Sequence, residues 1–472
     1  MQIRHIAIRP SQGAVDAGDI ALTPELLAAV GARHSRNAEG IESILTVAEG
    51  LGDEEAVEKI FRLFDYGHAS IADMVPVAIN IEGVSLWLAY TVWAQCPLAG
   101  GQETSTRYCD MDHHSKPEDA VLWIGNEDDW QVVSAIDDDV TQAHADFLKS
   151  AYKHYKDALA FWTNYANCNP SAVAVPEGAT TAVRVRIRRQ FAFDRARYYL
   201  PIAAKTNLMI VQSARAWVTL IRSLLSSQNF EEIALGKALV PQLAKSAPSL
   251  IKHAVYNEAH WNLSRREWFA EKDNAQTTLA CAARPVTYQV PEQELWLPGD
   301  NAEDTALQLD LSHRKSRYDP VGRGVALSPV AYDIFGVAFA EVRDMNRHRT
   351  GTKALNLAPL GFYAPEQDEY ADHELFSGDE ITEIGARLEF AHRANEVMLA
   401  RLAKGRQDAI YWGLLGTQME FCHSTTLDKA IYEFELRTGE GAHFRYKKHY
   451  KEWLRLLYAQ NPALRGLILE GE

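Results

Sequence analysis

One short pattern occurs twice in the chain, and this repeat limits the possible folds more than any other feature of the sequence. Hydrophobic residues alternate from Val75 to Gly83, and an apolar helix is predicted after a glycine-valine pair. The order recurs at Gly336, which precedes Arg347 by the same eleven residues that separate Gly83 from Ala94. Alternation is typical of a half-buried strand, and recurrence of a whole unit indicates duplication. We therefore predict two related modules; the alternative is chance, since glycine-valine often precedes a helix.

Length and composition fit this prediction. The chain has 472 residues, more than one ordinary hydrophobic core holds, and its 47% hydrophobic and 24% charged residues are usual for a globular protein. The formal net charge of −15 argues against general binding to nucleic acids or membrane surfaces, which requires a basic face. An anionic ligand would therefore have to be bound by local clusters of basic residues.

The sequence predicts a cytoplasmic protein. Its first nineteen residues contain no long apolar segment of the kind found in signal peptides. The most apolar segment, 83–99, is about one helical turn short of a membrane span and is better explained as a core helix. The cysteines are scattered and odd in number, without a CxxC pair, as expected for free thiols in a reducing compartment. They are Cys96, Cys109, Cys168, Cys281 and Cys422.

The remaining pattern is mainly helical. Helices are predicted within 23–67 and across most of 140–285, with trailing helical segments at 204–227 and 416–439. Residues 183–198 fit a strand in their first part and a helix in their second, so this segment is left open. Three prolines and a Gly-Asp-Asn turn mark a seam at 284–300. We place the two domains at 1–290 and 291–472.

Two segments could carry binding chemistry. In the first, Arg347, His348 and Arg349 are consecutive, and adjacent positive charges repel each other unless an anion holds them. At a helix C-terminus they could fan out into a loop, where Lys353 and the nearby Thr350 and Thr352 would add donors. The simpler explanation is a solvated basic helix end.

The second segment is the glycine-led loop Gly101–Tyr108. Hydroxyl groups, backbone amides and Arg107 make it a competent site for a phosphate monoester. The carboxylate of Glu103 fits a sugar hydroxyl better than a phosphate. A polar turn without a ligand is the alternative.

Several motifs, in their order and spacing, resemble the flavin-dependent thymidylate synthases. They are HASIADM at 68–74, INIEGVS at 79–85, QETSTRY at 102–108 and RARYYLP at 195–201. The family signature joins an R-H-R triplet to an N-E-x-S-x-R-Y loop, and in this chain the two parts are separated. The first half keeps the loop but has Ala94-Gln95-Cys96 or Gln95-Cys96-Pro97 at the triplet, whereas the second half keeps only the triplet.

Two further family positions show the same complementary loss. The arginine of the family's ARxxLP motif is similar to Arg197, and the second half has Ile410 at about that place. The late arginine and histidine of the family are similar to Arg437 and His443, and the first half has Leu224 where the arginine would be. The resemblance therefore implies a fused pair of modules that share composite sites.

The resemblance also implies a fold and an activity. The fold class would be α/β (α+β), with two related modules, each a small, mainly antiparallel sheet flanked by long helices. The activity would be C5 methylation of dUMP to dTMP, with FAD as cofactor and methylenetetrahydrofolate and NADPH as co-substrates. A homodimer with four modules is expected, without nucleic-acid or membrane partners. Hydroxymethylation, UMP as substrate, or a non-catalytic nucleotide- or flavin-binding duplicate remain open alternatives.

The resemblance assigns a role to each matching residue. Arg437 would be catalytic and stabilise charge on the pyrimidine ring, although an ordinary helix-end arginine is the alternative. No metal is expected, because a solvated turn explains the cluster Asp110, Asp112, His113 and His114 better. The nucleotide would be bound by Gln102, Glu103, Ser105, Thr106, Arg107 and Arg197, and the cofactor side by His68, Ser70, Asp73, Arg347, His348, Arg349 and His443.

Overall fold

The computed structural model describes residues 1–17, 20–34, 41, 43–46, 69–111, 139–280, 288–297, 305–368 and 376–471. Several predictions fall outside these residues. They are the helix at 53–67, the role of His68, the cysteine at 281 and the part of the acidic-histidine cluster at 112–114.

The described residues contain strands and helices in alternation. The strands are β1 Gln2–Ile6, β2 Pro76–Ser85, β3 Gly100–Glu103, β4 Lys205–Ser213, β5 Glu292–Trp296, β6 Pro329–Ala338, β7 Thr352–Phe362 and β8 Thr417–Thr426. The helices are α1 Gln12–Asp16, α2 Pro24–His34, α3 Leu86–Ala94, α4 Asp139–Cys168, α5 Thr181–Ala196, α6 Ala214–Leu225, α7 Phe230–Leu243, α8 Glu258–Ala280, α9 Thr305–Leu311, α10 Arg323–Leu327, α11 Phe339–Met345, α12 Gly378–Ala403, α13 Leu427–Arg437 and α14 Phe444–Gln460.

The chain forms two compact units. The first contains the described parts of 1–104 and 204–270, and the second those of 105–120, 135–203 and 271–472. Each unit has one four-stranded antiparallel sheet, in the order β1-β2-β4-β3 in the first and β5-β6-β8-β7 in the second. The predicted fold class, two related modules with mainly antiparallel sheets and flanking helices, is confirmed. The domain boundary near residue 290 remains a prediction about ancestry, although each sheet lies on its own side of it.

The glycines singled out in the sequence interrupt equivalent strands. The β2–β4 register shifts between Glu82 and Val84, and the β6–β8 register shifts between Phe335 and Val337. The intervening Gly83 and Gly336 have φ values of 70° and 87°, which a residue with a side chain adopts only with strain. The strand-glycine-helix repeat is therefore present in both units.

In the first unit, α3 and α6 cover one face of the sheet. Ser85 begins α3 because its hydroxyl accepts a hydrogen bond from the backbone N–H of Leu88 at 2.9 Å. Ser213 does the same for α6 at the end of β4, with Ala216 as donor. The core between sheet and helices includes Ile79, Ile210 and Trp217.

In the second unit, the sheet packs against α11, α13 and α14. Phe339, Phe434 and Trp453 are buried on these helices. A second cluster of apolar side chains joins the long α4 helix to α5 and α12. The unit thus contains residues from both halves of the sequence, including the phosphate-loop candidate Arg107 and the R-H-R triplet.

Three local predictions were wrong or incomplete. The segments at 204–227 and 416–439 are not helical throughout, because β4 and β8 occupy their first parts. The loop predicted at 101–108 begins inside the edge strand β3, which pairs with β4. The segment left open at 183–198 lies in the helix α5, which begins after the N-cap Thr180 and ends at Ala196, and then in the 3₁₀ turn Arg197–Tyr199.

None of the helices in the described residues is long and apolar enough to cross a membrane. The four cysteines that the structure describes, Cys96, Cys109, Cys168 and Cys422, are all free thiols.

Candidate functional site

Two buried arginine-aspartate pairs form the centre of a polar cluster in the second unit. Arg107 donates from Nε and Nη2 to the two carboxylate oxygens of Asp194, at 2.7 and 2.9 Å. Arg197 donates from Nη2 to Asp344 Oδ2 at 2.7 Å. The loop after β3, the helix α5, the turn that follows it and α11 each contribute one of these residues. The two arginines that the sequence assigned to a phosphate therefore lie in one unit with the helix that leads to Arg347.

The charges in this cluster are mutually stabilised. Burial alone would raise the pKa of Asp344, but the positive charges of Arg197, Arg347 and Arg107 outweigh it, so the pKa falls well below its usual range. Burial would likewise lower the pKa of Arg197, and the charge of Asp344 reverses that effect. One donor of Arg197, Nε, is buried and has no hydrogen-bond partner among the described residues. An uncompensated buried donor of this kind is a candidate ligand contact.

The R-H-R triplet follows the end of α11, as the sequence predicted. Asn346 is the C-cap, and Arg347 lies next with its side chain 47% exposed and its Nε 3.8 Å from Asp344 Oδ1. His348 is buried and its Nε2 accepts a hydrogen bond from Arg437 Nε at 2.6 Å. Burial and the nearby charge of Arg437 hold the pKa of His348 well below its ordinary value, so its ring is neutral. The triplet therefore presents two arginines, with the histidine turned inward against Arg437.

A cavity of about 500 Å³ opens beside the triplet. Its charged lining comprises five basic and three acidic side chains, and Tyr432 and Thr350 add polar groups. The basic residues are Arg314, Arg317, Arg347, Arg349 and Lys429, and the acidic ones are Asp319, Asp428 and Glu433. This excess of positive charge, in a chain with a net charge of −15, suits an anionic ligand.

The loop after the triplet has a fixed shape. Lys353 Nζ donates to the carbonyl oxygens of His348 and Thr350, the latter at 3.1 Å. Gly351 lies between them with φ 71°, where an added Cβ would overlap the carbonyl oxygen of Ser424 and lie 2.7 Å from Thr425 Cβ. Only glycine fits this position without a shift of the neighbouring strand β8.

Gly351→Ala is expected to lower the free energy of unfolding by about 2–4 kcal/mol, from backbone strain together with the overlap. Gly178 is a matched control, because its φ of 74° is similar and no atom lies within 4 Å of its added Cβ. Gly178→Ala is expected to cost only about 1–2 kcal/mol. Urea unfolding of both variants measures the difference, and equal losses would contradict the packing argument.

His443 lies at the N-cap of α14 and is completely buried. Its Nδ1 accepts from the backbone N–H of Arg445 at 3.3 Å, and its Nε2 lies 3.2 Å from the carbonyl oxygen of Asp194. Since a carbonyl only accepts, Nε2 carries the proton. Burial and the charges of Arg197 and Arg107 lower the pKa of this ring. In this arrangement His443 supports the polar cluster through its contact with the Asp194 backbone and has no free nitrogen for a ligand.

Four of the other candidates belong to the first unit. Gln102 and Glu103 lie on β3, opposite Met209 and Leu208 of β4. Ser70 is exposed in the 3₁₀ turn Ala69–Met74. In the same turn Asp73 forms a half-exposed ion pair of 2.8 Å with Arg215.

Ser105 and Thr106 stand in the second unit beside Arg107. The Ser105 hydroxyl accepts a hydrogen bond from the backbone N–H of Arg107 at 3.2 Å, and Thr106 is buried. No group of metal-binding side chains is found within the described residues.

Several residues of the site have no clear signal in the sequence. Asp194 and Asp344 each precede a recognised arginine by three residues, and this spacing was the only available indication. Arg314 and Arg317 precede β6 in a segment without a family motif, and Glu433 is one of several acidic residues on α13. Their common property is a position on the cavity or the cluster, which only tertiary structure defines.

The chain is similar in part to a protein family, to a bacterial protein and to a solved structure. Residues 20–249 match the family model described as thymidylate synthase complementing protein. The chain is 24% identical over 361 residues to a UPF0159 protein of Chlamydia muridarum (strain MoPn / Nigg), a match that covers 67% of this chain and 64% of that protein. The chain thus spans less than two thirds of that relative. A solved structure of a UMP/dUMP methylase PolB from Streptomyces cacaoi bound with 5-Br dUMP matches at a TM-score of 0.33 and 15% identity, over 53% of this chain and 93% of that one.

The match over residues 20–249 agrees with the resemblance that the motifs predicted, and it shows similarity to that family for this part of the chain. The matched residues contain the first of the two four-stranded sheets except for β1, and the second sheet lies beyond them.

Proposed function

We propose that this protein methylates a uridine nucleotide at C5, converting dUMP to dTMP, with FAD as cofactor and methylenetetrahydrofolate and NADPH as co-substrates. The observation that carries this proposal is the composite polar cluster. Arg107 and Arg197, which belong to the first-half motifs, pair with Asp194 and with Asp344, which lies one helical turn before Arg347. The complementary loss of motifs in the two halves is what such a shared site would leave.

The nucleotide phosphate would lie against Ser105, Thr106, Arg107 and Arg197. The buried Arg197 Nε, without a partner in the described residues, supports this assignment because an anionic oxygen would complete its hydrogen bonding. Gln102 and Glu103 remain predictions for the sugar. Arg437, held at 2.6 Å from His348, would face the pyrimidine and stabilise negative charge that develops on the ring.

The cavity beside the triplet fits the chemistry of a dinucleotide cofactor. Arg317, Arg347, Arg349 and Lys429 are candidate donors for a diphosphate, whereas Arg314 is bound by Glu435 at 2.9 and 2.8 Å. The cavity volume of about 500 Å³ is within the usual range for a ligand pocket. FAD, when bound, would supply the reducing electrons of the methylation. Arg347 and Arg349 would hold the diphosphate, and the neutral His348 would keep Arg437 in position through their hydrogen bond. Ser70, Asp73 and His68 remain predictions for the cofactor side, whereas His443, with both ring nitrogens engaged, would act there only by supporting the polar cluster.

We further propose a cytoplasmic homodimer. The free cysteines are consistent with a reducing compartment, and the family resemblance implies sites built from several modules. Sedimentation of the purified protein would measure its oligomeric state.

The triplet variant Arg347→Ala/Arg349→Ala is expected to release FAD while the protein stays folded. Each charge-assisted contact to a phosphate is worth about 1.5–3 kcal/mol, and α11 ends before both residues. Flavin absorbance that comigrates with the protein in gel filtration measures retention, and circular dichroism measures folding. Arg393→Ala/Arg455→Ala removes two exposed arginines from helices elsewhere and is the matched control.

Full flavin retention in the triplet variant would reject the cofactor assignment. The activity itself is tested by incubating the wild type with dUMP, methylenetetrahydrofolate and NADPH and identifying the product by mass. Formation of dTMP supports the proposal. A colourless protein that forms no nucleotide product would contradict it and favour a non-catalytic duplicate.

A further inference from the structure

Three buried polar side chains form a hydrogen-bonded relay from the cavity to the sheet of the second unit. Glu433 lines the cavity, and its Oε2 lies 2.6 Å from the Tyr332 hydroxyl oxygen. The same hydroxyl oxygen lies 2.6 Å from His423 Nδ1. At the far end, His423 Nε2 lies 2.8 Å from the carbonyl oxygen of Thr350. All of these distances are those of hydrogen bonds, and the three side chains are almost completely buried.

Assigning one proton to each hydrogen bond of this relay leads to a requirement on Glu433. A carbonyl oxygen only accepts, so His423 Nε2 must carry a proton to bind Thr350. In a neutral ring Nδ1 is then an acceptor, and it takes the single phenolic proton of Tyr332. The remaining contact of 2.6 Å, between Tyr332 and Glu433, has no proton left from the tyrosine. It needs a proton that Glu433 itself supplies.

We propose that Glu433 keeps its proton up to the approach to neutral pH and donates it to Tyr332, so that in this form the carboxyl group adds no negative charge to the cavity. The functional consequence rests on the proposed function, because it concerns an anionic ligand. Arg314 is paired with Glu435, so the basic side chains that the lining offers to a ligand are Arg317, Arg347, Arg349 and Lys429. With Glu433 neutral, one of the three acidic side chains of the lining no longer opposes them. The relay would therefore make the cavity selective for anions such as a diphosphate.

The surroundings of Glu433 favour the protonated form. Burial is the largest effect and raises the pKa of Glu433 to about 7, although hydrogen bonds and charges around it act in the opposite direction. The titratable and charged groups that face it are Tyr332, His348, Lys353, His423, Arg437 and Tyr450. Burial and the charge of Lys353 lower the pKa of His423 to about 3. The additional proton therefore stays on the Glu433 carboxyl group and does not move to the His423 imidazole.

The first test is direct and requires no ligand. An infrared difference spectrum between the wild type and Glu433→Gln is recorded at about pH 6, one unit below the pKa of about 7. A carbonyl band of a protonated carboxyl group, present in the wild type and lost in the variant, is expected. Its absence would overturn the proposal, because the carboxyl group would then be ionised. If Glu433→Gln does not fold, Tyr332→Phe must shift the same band, and an unchanged spectrum is again a contradiction.

Glu232 offers a matched control. Burial raises the pKa of this carboxyl group also to about 7, but Glu232 lies on α7 in the first unit and does not line the cavity. Glu232→Gln is expected to remove a band of its own and to leave the Glu433 band in place.

The second test measures the effect on an anion, with inorganic pyrophosphate as the probe. If only the protonated form binds, the Kd of the wild type rises up to about tenfold, relative to that of Glu433→Gln, from about pH 6 to about pH 8. The comparison with the glutamine variant cancels the titration of pyrophosphate itself. A constant ratio of the two Kd values would contradict the role in anion selectivity.

The two tests separate the inference from the proposed function. A carboxyl band with no pyrophosphate binding to either protein would support the protonated Glu433 and reject the anion site. Binding without the band would support the site and reject the relay.

Discussion

Arg197→Met is expected to lower the free energy of unfolding by about 3–5 kcal/mol, the usual cost of leaving one member of a buried ion pair without its partner. Arg197 is 1% exposed and binds Asp344 at 2.7 Å. Methionine keeps much of the volume but leaves the Asp344 carboxylate uncompensated in the protein interior. Urea unfolding, followed by circular dichroism, measures the loss.

The control for this variant is Arg215→Met. Arg215 binds Asp73 at 2.8 Å, nearly the same distance, but both side chains are 48% exposed. An exposed pair contributes about 0–1 kcal/mol, so this variant should be close to the wild type. Similar losses in the two variants would show that burial of the Arg197 pair does not determine its energy.

A third variant tests the mechanism of the loss. If the cost of Arg197→Met comes from the unpaired carboxylate, adding Asp344→Leu should recover part of the stability, since an apolar pair can replace a buried ion pair. The double variant should still fail to bind dUMP, because the proposed phosphate contact is absent. Further destabilisation by Asp344→Leu would contradict this explanation.

The local pattern of the sequence was sufficient for the elements in which side-chain alternation and a special backbone position agree. β2 follows the predicted alternation, and Gly83 and Gly336 mark the register shifts in both sheets. The end of α11 before the R-H-R triplet was also predicted, because consecutive charges fit a helix end better than a helix interior.

The missed elements are those in which tertiary pairing decided the structure. Residues 205–213 read as helix, but they form β4 because β2 and β3 pair with both of their edges. In 183–198, Val183 and Val185 suggested a strand, yet α5 forms with a capped N-terminus and these two positions are not buried.

The candidate site was predictable in its arginines but not in their partners. Arg107, Arg197 and Arg437 belong to recognisable motifs, whereas the motifs do not show that Asp194, Asp344 and His348 would bind them. These partners lie 87, 147 and 89 residues away in the chain. Pairings at such separations depend on the packing of α5, α11 and α13.

The two halves predicted from the sequence, 1–290 and 291–472, are expected to lose the composite cluster when they are expressed separately. Separating the chain between residues 290 and 291 removes Arg197 from Asp344. It also removes Tyr198 from Glu341, which the tyrosine hydroxyl binds at 2.6 Å. In fragment 291–472, Asp344 would therefore lose Arg197, and Glu341 would keep His449 but lose the tyrosine hydroxyl. We expect it to show no cooperative unfolding, bind little FAD and oxidise no NADPH in the presence of dUMP and methylenetetrahydrofolate.

Backbone hydrogen bonds strengthen this expectation, because they too cross the cut. Leu415 and Gly416 donate from their backbone N–H groups to the carbonyl oxygens of Leu200 and Tyr198, at 2.8 and 2.7 Å. Buried backbone groups left without partners cost about 1–3 kcal/mol each, so the fragment loses more stability than the loss of Arg197 alone explains. Coexpression of the two halves is the control, since it restores every partner and removes only the effective concentration that the covalent link supplies. Partial activity in the coexpressed pair and none in either half is the expected result. A fragment 291–472 that unfolds cooperatively and binds FAD alone would show that the site does not depend on the first half.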